Sequence, residues 1–358
     1  MGKIMNGKLK LAAMCAAILT AALPASLIQA AANEDPTRIY VLTLPEGEGW
    51  TGSVARFARE EVAEIKEEGR YRAKVVTCSS AEDQEMLLRK IAGKTGEKPA
   101  VVVEPADACI EDELDMLADE GIPYVMFDSI IDGAAERAVS CVECDDVSIG
   151  AACASYFLKM GMEKGDRVCC LEGDSSLTTT WRDDGFIRFL RGETGYMGEW
   201  LTGDDVWSVD DISGIEFSGA LGWSREEAAA HAAAFISDPA NSDIKWIYAE
   251  DDKLALGVLD ALSGKGVKKK ARKTFLKNKP VIAGCGGRED LYAAIRGESF
   301  ESLAADVGGI MSVTDSPALI RTAIRDMVTY LDGGEVIHDH RVEGETVTAE
   351  NVKEYPSY

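Results

Sequence analysis

Single charged or aromatic residues stand at the ends of several short apolar runs in this sequence. Asp128 ends the run Tyr124-Val125-Met126-Phe127, and three acids, at 250–252, directly follow the run 246–249. Indole faces pack against ring C–H groups, whereas carboxylates and guanidinium groups form charge-assisted, often bidentate hydrogen bonds to neighbouring hydroxyls. The pattern predicts a site for a small polar ligand, with a sugar as the best fit. Its candidate residues are Trp50, Asp128, Arg182, Trp223, Asp251 and Asp252.

A carboxylate after a strand has a second common role, which is to cap the helix that follows. Asp252 directly precedes Lys253-Leu254-Ala255-Leu256-Gly257, which has the composition of a helix. Both roles remain open for this residue, and we favour contact with the ligand.

Residues that support catalysis are scarce. The chain has three histidines, and it lacks a G-x-S-x-G elbow, a phosphate-binding loop and a G-x-G-x-x-G sequence after a strand. His338-Asp339-His340 is spaced like a metal clip, but a surface turn is the favoured interpretation. We therefore predict no enzymatic activity, no cofactor and no metal. A secreted glycosidase that uses paired carboxylates is the alternative.

The first thirty-two residues have the three parts of a secretory signal. Three lysines and no acid precede an apolar stretch over residues 11–28, and small residues follow at 30–32. We predict export to the periplasm or the extracellular face of the cytoplasmic membrane, with cleavage after Ala30 or Ala32. An uncleaved membrane anchor is the alternative.

The charge of the chain is strongly acidic. The formal net charge is −24, and it becomes more negative once the three lysines of the signal are removed. Such a surface repels nucleic acid, so we expect no nucleic-acid partner.

Eight cysteines follow the predicted signal, several of them inside apolar runs. Cysteine in such a run behaves as a small hydrophobic residue, so we expect mostly buried thiols and at most one or two disulfides. Cys141-x-x-Cys144 has no second pair at the spacing of a zinc site.

Short β-branched runs alternate with helix-period stretches along the chain after the signal. Runs such as Val101-Val102-Val103 are apolar on both faces, which is typical of a parallel strand covered by helices on each side. A polar break at 142–146 follows five predicted strands, and a new set of strands begins after it. The fold class predicted is α/β, with two doubly wound parallel-sheet lobes.

Four segments carry a resemblance to a known family. They are Ile122-Pro123-Tyr124-Val125-Met126-Phe127-Asp128, Arg182-Asp183-Asp184-Gly185-Phe186, Tyr248-Ala249-Glu250-Asp251-Asp252-Lys253-Leu254-Ala255-Leu256-Gly257 and Val347-Thr348-Ala349-Glu350-Asn351-Val352-Lys353-Glu354-Tyr355. In this order and spacing they resemble the type 1 periplasmic binding proteins, the family of the ribose- and galactose-binding receptors. The resemblance covers nearly the whole chain after the signal.

The resemblance implies two lobes joined by three crossover strands, in the periplasmic binding protein-like type I fold. We place the N-terminal lobe at 33–143 plus 288–334 and the C-terminal lobe at 144–287 plus 335–358. We expect the lobes to close by a hinge near residues 144–145, 287–288 and 334–335. The expected ligand-binding roles are hydrogen bonding for Asp128, Arg182 and Asp252 and ring stacking for Trp50 and Trp223. Arg182→Ala is expected to abolish binding with little change in the melting temperature.

The same resemblance implies a monomer that delivers its ligand to an ABC transporter permease. A sensory protein that presents its ligand to a chemoreceptor or a histidine kinase is the main alternative. A sugar-responsive transcription regulator with the same core fold is remote, because the export signal is present and DNA-binding helices are missing at the N-terminus.

Three departures from the family pattern affect the ligand prediction. Gly284-Cys285-Gly286-Gly287 stands where the family commonly has Gly-Phe-Asp-Gly, and Asp251 replaces the usual asparagine. A glutamine common in the family has no counterpart in 304–309. With Glu46 or Glu48 added to the candidate acids, the cleft would also suit a cationic or amino-bearing ligand.

The segment Lys265 to Lys279 carries eight basic residues and no acid. We favour a solvated loop as its explanation. The alternative is a docking patch for an acidic permease loop or a cell-wall polyanion.

Overall fold

The computed structural model describes residues 37–45, 49–264, 266–303 and 305–358. The predicted export signal and the acids Glu46 and Glu48 lie outside the described residues. In the ranges that are described, no helix has the length and apolar character needed to cross a membrane.

Strands and helices alternate along most of the described chain. The strands are β1 (Arg38–Thr43), β2 (Arg72–Thr77), β3 (Pro99–Val103), β4 (Tyr124–Phe127), β5 (Ser140–Cys144), β6 (Val168–Leu171), β7 (Ile215–Phe217), β8 (Trp246–Ala249), β9 (Val281–Gly286), β10 (Gly309–Thr314), β11 (Asp339–Val342) and β12 (Thr346–Val347). The helices are α1 (Trp50–Glu68), α2 (Ala81–Ala92), α3 (Glu111–Asp119), α4 (Asp132–Ala135), α5 (Asp146–Lys159), α6 (Leu177–Leu190), α7 (Arg225–Ser237), α8 (Asp252–Ser263), α9 (Lys269–Phe275), α10 (Glu289–Ile295) and α11 (Ile320–Leu331).

The first lobe is built on a parallel sheet in the order β11-β5-β4-β3-β1-β2. Helices α1 and α11 cover one face of this sheet, and α2 and α3 cover the other. Val101, Val102 and Val103 are fully buried, because β3 lies in the middle of the sheet and contacts helices on both faces.

The second lobe is built on a sheet in the order β12-β10-β9-β8-β6-β7. Its strands are parallel except for β12, which pairs antiparallel to β10. Helices α5 and α6 cover one face, and α7, α8 and α10 cover the other. The predicted fold class, two doubly wound α/β lobes, is confirmed.

The division of the chain between the two sheets differs from the boundaries expected near 288 and 335. Strand β10 pairs with β9 of the second lobe, whereas β11 pairs with β5 of the first. The chain therefore passes between the lobes at residues 144–146, 314–316 and 342–346. A strand's pattern of apolar residues shows that it is buried but does not show which sheet it joins, so the last two crossings were misplaced.

The expectation of a surface turn at residues 338–340 also differs from the structure. The His338-Asp339-His340 segment enters β11 at the edge of the first sheet and is not a turn. His340 Nδ1 lies 2.7 Å from an Asp326 carboxylate oxygen, and His338 Nε2 lies 3.1 Å from the Ala135 carbonyl oxygen. The two rings therefore bind separate partners.

The basic segment forms helix α9 and a following 3-10 turn, so the described part is not a loop. Its exposed side chains include Lys268, Lys269, Lys270, Lys273, Lys277 and Lys279. Phe275 of the same helix is buried against the core of the second lobe, which fixes the lysines on the solvent side.

The eight cysteines of the described residues are all free thiols, and six of them are buried. Cys141 and Cys144 are three residues apart on β5, so their side chains point to opposite faces of the sheet. This geometry separates the two thiols of the C-x-x-C sequence.

Candidate ligand-binding site

A cleft of about 1090 Å³ lies between the two lobes. Small-molecule sites in proteins commonly have volumes of about 300–1,000 Å³, so this cleft has the size of a ligand site that has room to close. It is lined by residues of both lobes and of the crossovers. Among them are Trp50, Asp128, Glu143, Asp146, Asp174, Trp181, Arg182, Trp223, Asp251, Arg288, Asp315, Arg341 and Tyr358.

Five of the six predicted site residues line this cleft, and Asp252 does not. Trp50 and Asp128 lie on the first lobe, whereas Arg182, Trp223 and Asp251 lie on the second. Residues far apart in the sequence thus meet because parallel strands place their carboxyl ends, and the segments that follow them, at the same edge of each sheet.

Close packing of two helices positions Arg182. A Cβ atom on Gly150 of α5 would lie 1.9 Å from the Arg182 carbonyl oxygen, and one on Gly185 of α6 would lie 2.1 Å from the Val147 carbonyl oxygen. The absence of side chains at these two positions lets the helix backbones touch. Arg182 on α6 therefore lies against the first turn of α5.

Three hydrogen bonds hold the Arg182 guanidinium. Its Nε donates to Asp146 at 2.7 Å, its Nη2 donates to Asp315 at 2.7 Å, and its Nη1 donates to the Glu250 carbonyl oxygen at 2.6 Å. A guanidinium has five N–H donors, so two are left for a ligand. The residue is only 5% exposed, and that exposed part faces the cleft.

Trp223 forms the neighbouring part of the second-lobe wall. A Cβ on Gly173 would lie 2.2–2.3 Å from the Trp223 ring carbons, so the indole rests directly on the Gly173 backbone. The Arg182 guanidinium lies 5.7 Å from the indole centroid, within the range of a cation–π contact. The guanidinium therefore lies over the indole, and both side chains line the same wall of the cleft.

Trp50 opens α1 on the opposite wall. Its indole makes an edge-to-face contact with Tyr358, with the ring centroids 6.2 Å apart. The Tyr358 backbone N–H donates to the Gly287 carbonyl oxygen of the second lobe at 3.2 Å. An indole from the first lobe thus lines the cleft opposite Trp223.

Asp128 follows β4 in a left-handed backbone conformation, with φ of 67°. This conformation is uncommon for residues other than glycine, although aspartate and asparagine adopt it more readily than most. The crowding of the cleft raises the pKa of Asp128, to about 8, mainly through desolvation and then through the nearby acids Asp315 and Glu104. The Asp128 side chain is exposed to the open cleft.

Asp251 has the helix-capping role that the sequence analysis considered for Asp252. Asp251 caps α8, since its Oδ1 accepts from the Lys253 and Leu254 N–H groups at 2.6 and 3.1 Å. Its other oxygen is available to the cleft that it lines. Burial raises the pKa of Asp251.

The expectation that Asp252 bonds the ligand is wrong for this structure. Its side chain is fully buried, and its Oδ2 accepts from the N–H groups of Gly287 and Arg288, both at 2.8 Å. Its Oδ1 accepts from the Ser312 hydroxyl at 2.7 Å. Both oxygens are used inside the second lobe, where they fix the turn that carries Arg288 into the cleft wall. Burial raises the pKa of Asp252 to about 7.

Several cleft residues were not predicted from the sequence. Asp146 and Asp315, the partners of Arg182, stand at two of the crossovers. Asp146 lies in the polar break that marked the lobe boundary, and Asp315 precedes Ser316-Pro317, a helix-start signal. These two signals indicate where a lobe ends and where a helix begins. They do not indicate that the two carboxylates bind the same guanidinium.

A second group that the sequence missed is centred on Arg341 of β11. Its guanidinium lies 3.0 Å from a Glu143 carboxylate oxygen and 3.1 Å from one of Asp339, and 5.9 Å from the Trp181 ring centroid. Trp181 belongs to α6 of the second lobe, so this contact also spans the cleft.

Behind the Trp223 wall lies a pair of carboxyl groups. Glu250 is fully buried, and its Oε2 accepts from the Gly173 N–H at 2.7 Å and the Thr179 hydroxyl at 2.9 Å. Asp183 lies beside Glu250, and each of the two carboxyl groups has a buried oxygen without a hydrogen-bond partner, so one shared proton would satisfy both. Desolvation, followed by the charge of Glu250, raises the pKa of Asp183.

A family model described as "Periplasmic binding protein domain" matches residues 39–335 of this chain. No curated protein matches the sequence significantly.

Solved structures with the same fold cover most of the chain. A periplasmic ribose ABC transporter structure from Conexibacter woesei is 14% identical, with 90% of this chain and 95% of that chain covered and a TM-score of 0.65. A solute-binding protein of an ABC transporter from Bacillus halodurans, with bound myo-inositol, is 18% identical, with coverages of 90% and 98% and a TM-score of 0.63. One from Actinobacillus succinogenes, with bound D-allose, is also 18% identical, with coverages of 89% and 100% and a TM-score of 0.63. At these identities the likeness shows a shared fold.

Proposed function

This chain belongs to the periplasmic binding protein family, and from that premise we propose that it is an extracytoplasmic solute-binding receptor for a monosaccharide or a similar polyol. The ligand is captured in the cleft between the lobes. The chain does not catalyse a reaction on it.

One observation carries this proposal. Arg182, with two N–H donors left unused, and the indole of Trp223 lie on one wall of the cleft, and the indole of Trp50 lies on the opposite wall. A sugar presents adjacent hydroxyls that suit a guanidinium and C–H faces that suit indoles. Closure of the lobes would bring all three side chains onto one small ring.

The proteins named above add support of a second kind. The structures from Bacillus halodurans and Actinobacillus succinogenes hold myo-inositol and D-allose, which are both polyhydroxylated rings. They share the fold of this chain, and we assign a ligand of the same general class to its cleft.

The receptor then delivers its ligand to an ABC transporter permease at the outer face of the cytoplasmic membrane. The three similar structures described above belong to ABC transporters by their descriptions, and the predicted export signal agrees with this location. We assign the receptor a monomeric state.

A thermal-shift screen with sugars, polyols and nucleosides tests the binding proposal. A ligand that binds only the folded protein stabilises it by about 2.7 kcal/mol at one hundred times its Kd, so a true ligand raises the melting temperature further with the logarithm of its concentration. We expect one stereochemically related group of sugars or polyols to do so. The absence of a shift with every member of the panel would contradict the proposal.

Two further measurements separate this function from its alternatives. Loss of cellular uptake of the ligand on deletion of the gene supports delivery to a permease, whereas loss of chemotaxis or gene induction with normal uptake supports a sensory role. Conversion of the bound sugar to a product by the purified protein would favour a glycosidase.

A further inference from the structure

The charges of the cleft wall are unequal, and this inequality bears on the ligand class of the proposed receptor. Among the described residues that line the cleft, eight are carboxylates, and four are lysines or arginines. The acids are Asp128, Asp132, Glu143, Asp146, Asp174, Asp251, Asp315 and Asp339, and the bases are Arg182, Lys253, Arg288 and Arg341. The wall therefore carries a clear excess of negative charge.

The three arginines of the wall are already engaged with carboxylates, and Arg288 lies 3.1 Å from Asp290. Arg182 lies between Asp146 and Asp315, with both distances 2.7 Å. Arg341 lies between Glu143 and Asp339, at 3.0 and 3.1 Å. Each of these two guanidinium groups is already neutralised by two acids. Neither can balance the charge of a further carboxylate.

Asp128 is an acid of the wall that this arrangement leaves without a side-chain partner. Within the described part of the chain, no side chain donates a hydrogen bond to its carboxylate, and the nearby groups Asp315, Glu104 and Asp146 are all acids. The Arg182 guanidinium, which is the cation in its surroundings, is bound to two of the three acids named. Asp128 also projects from a strained backbone position at the end of β4.

Closure of the lobes would remove water from this carboxylate. With a neutral ligand this loss of water favours the protonated carboxyl, whereas a positively charged ligand group stabilises the ionised form. An ammonium group supplies three donors together with a positive charge. The rest of the wall, with two indoles and the unused N–H groups of Arg182, still requires a hydroxylated ring.

We propose that the ligand is a polyhydroxylated amine, that is, an amino sugar or an amino polyol, whose ammonium group lies against Asp128. Its hydroxyls face Arg182, and its ring lies between Trp50 and Trp223. This inference rests on the proposed receptor function and narrows it to one class of substrate.

Isothermal titration calorimetry at pH 7 with matched compounds tests the inference. The probes are D-glucosamine, D-galactosamine and D-mannosamine, each compared with its parent hexose and with its N-acetyl derivative. The three members of a set share a hexose skeleton, and only the amine carries a positive charge. We expect at least one amine to bind about tenfold or more tightly than both of its neutral counterparts.

The variant Asp128→Asn links this preference to one carboxylate. Asparagine tolerates a positive φ as aspartate does, so we expect the variant to fold. It should bind the amine and the parent hexose with affinities within about threefold of each other. Asp205→Asn, which removes an exposed acid outside the cleft, should keep the tenfold preference.

Three outcomes would overturn the inference. A parent hexose that binds as tightly as its amine contradicts it and leaves the receptor function intact. An amine preference that persists in Asp128→Asn contradicts the assigned position of the ammonium group. Failure of every amine to bind contradicts the inference, and it contradicts the proposed function as well only when no member of the thermal-shift panel raises the melting temperature.

Discussion

At the scale of single residues, Arg182 serves both the ligand and the fold. Its guanidinium binds two carboxylates and one carbonyl oxygen within the protein, and its side chain is 6% exposed. It differs in this respect from a ligand-binding side chain that projects freely into solvent. Asp146 and Asp315 depend on it for their charge balance.

We predict that Arg182→Ala abolishes ligand binding and also destabilises the unliganded protein. Removal of one partner from a buried ion pair costs about 3–5 kcal/mol, because the remaining charges are left uncompensated. The sequence alone suggested an unchanged melting temperature, and the observed contacts replace that expectation. Calorimetric titration and urea unfolding measure the two effects.

Arg188→Ala is the matched control for this variant. Arg188 lies on the same helix, is exposed, and contacts Asp184 at 3.2 Å. Its loss should change stability by about 0.5 kcal/mol or less and leave binding unchanged. Normal ligand affinity in Arg182→Ala would contradict the role given to Arg182.

The adjacent acids Asp251 and Asp252 show what a sequence can and cannot predict about a residue. Their position after a strand correctly indicated the edge of the sheet that carries the cleft. The residue at which α8 begins decides which of the two acids faces the cleft. Asp251 caps the helix and stays at the surface, whereas Asp252, the next residue, turns inward. A shift of one residue reverses the roles, and the sequence pattern does not resolve such a shift.

At the scale of elements, the contact between α5 and α6 sets the position of the site. Helix α6 was not predicted, because the β-branched run Thr178-Thr179-Thr180 in its first turn lowers helix propensity. The strands that were predicted are mostly buried and apolar. Strand β11 was missed because Asp339, His340 and Arg341 give an edge strand no apolar pattern.

Gly150→Ala tests this helix contact. The added Cβ would lie 1.9 Å from the Arg182 carbonyl oxygen, so the helices must separate. We predict a loss of about 1–3 kcal/mol in the free energy of unfolding, as is typical of overpacking, together with weaker ligand binding, because Arg182 moves with α6.

Gly93→Ala serves as the comparison. A Cβ at Gly93 would meet its nearest atom, the Arg89 carbonyl oxygen, at an ordinary 3.5 Å, and its φ is −73°. Urea unfolding should show a change of about 0.5 kcal/mol or less for this variant. Equal stabilities for the two alanine variants would show that the helix contact is looser than described.

The carboxyl pair of Asp183 and Glu250 gives the second lobe a pH dependence. Desolvation and the charge of Glu250 raise the pKa of Asp183, so the folded protein retains a proton that the unfolded chain releases above its ordinary carboxyl pKa. Where the folded state binds more protons, stability falls as the pH rises. We predict that the free energy of unfolding of the wild type decreases from weakly acidic to alkaline pH.

Asp183→Asn should flatten that decrease, because an amide N–H donates to Glu250 at every pH. The neighbouring variant Asp184→Asn changes the same charge at an exposed position and should retain the slope of the wild type. The measurement is denaturant unfolding at pH 6, 7, 8 and 9. A slope in Asp183→Asn as steep as that of the wild type would exclude a shared proton as its cause.

At the scale of the whole molecule, the three crossovers meet near one side chain. Cys144 Sγ lies 3.5 Å from the Val342 carbonyl oxygen and 3.9 Å from that of Thr314. Asp146 and Asp315, which belong to two of the crossovers, both bind Arg182. We propose that the three crossover segments form the hinge about which the lobes rotate. A ligand that contacts Arg182 is connected to two of these segments through that one side chain.

The two-lobed architecture was the part of the molecule most accessible from the sequence. Parallel strands buried on both faces leave a strong apolar signal, and the polar break before Asp146 marks the first crossover. The later crossovers were misplaced, since assignment of β10 and β11 to a sheet requires knowledge of long-range pairing that no local pattern contains.

The central claim is that both lobes bind one ligand in their shared cleft. A crystal structure of the protein with the compound that stabilises it most tests this claim directly. We predict that the ligand ring lies between Trp50 and Trp223, with hydrogen bonds to Arg182 and Asp128, and with the lobes rotated towards each other about the crossovers. A ligand bound to one lobe only, or outside the cleft, would contradict it.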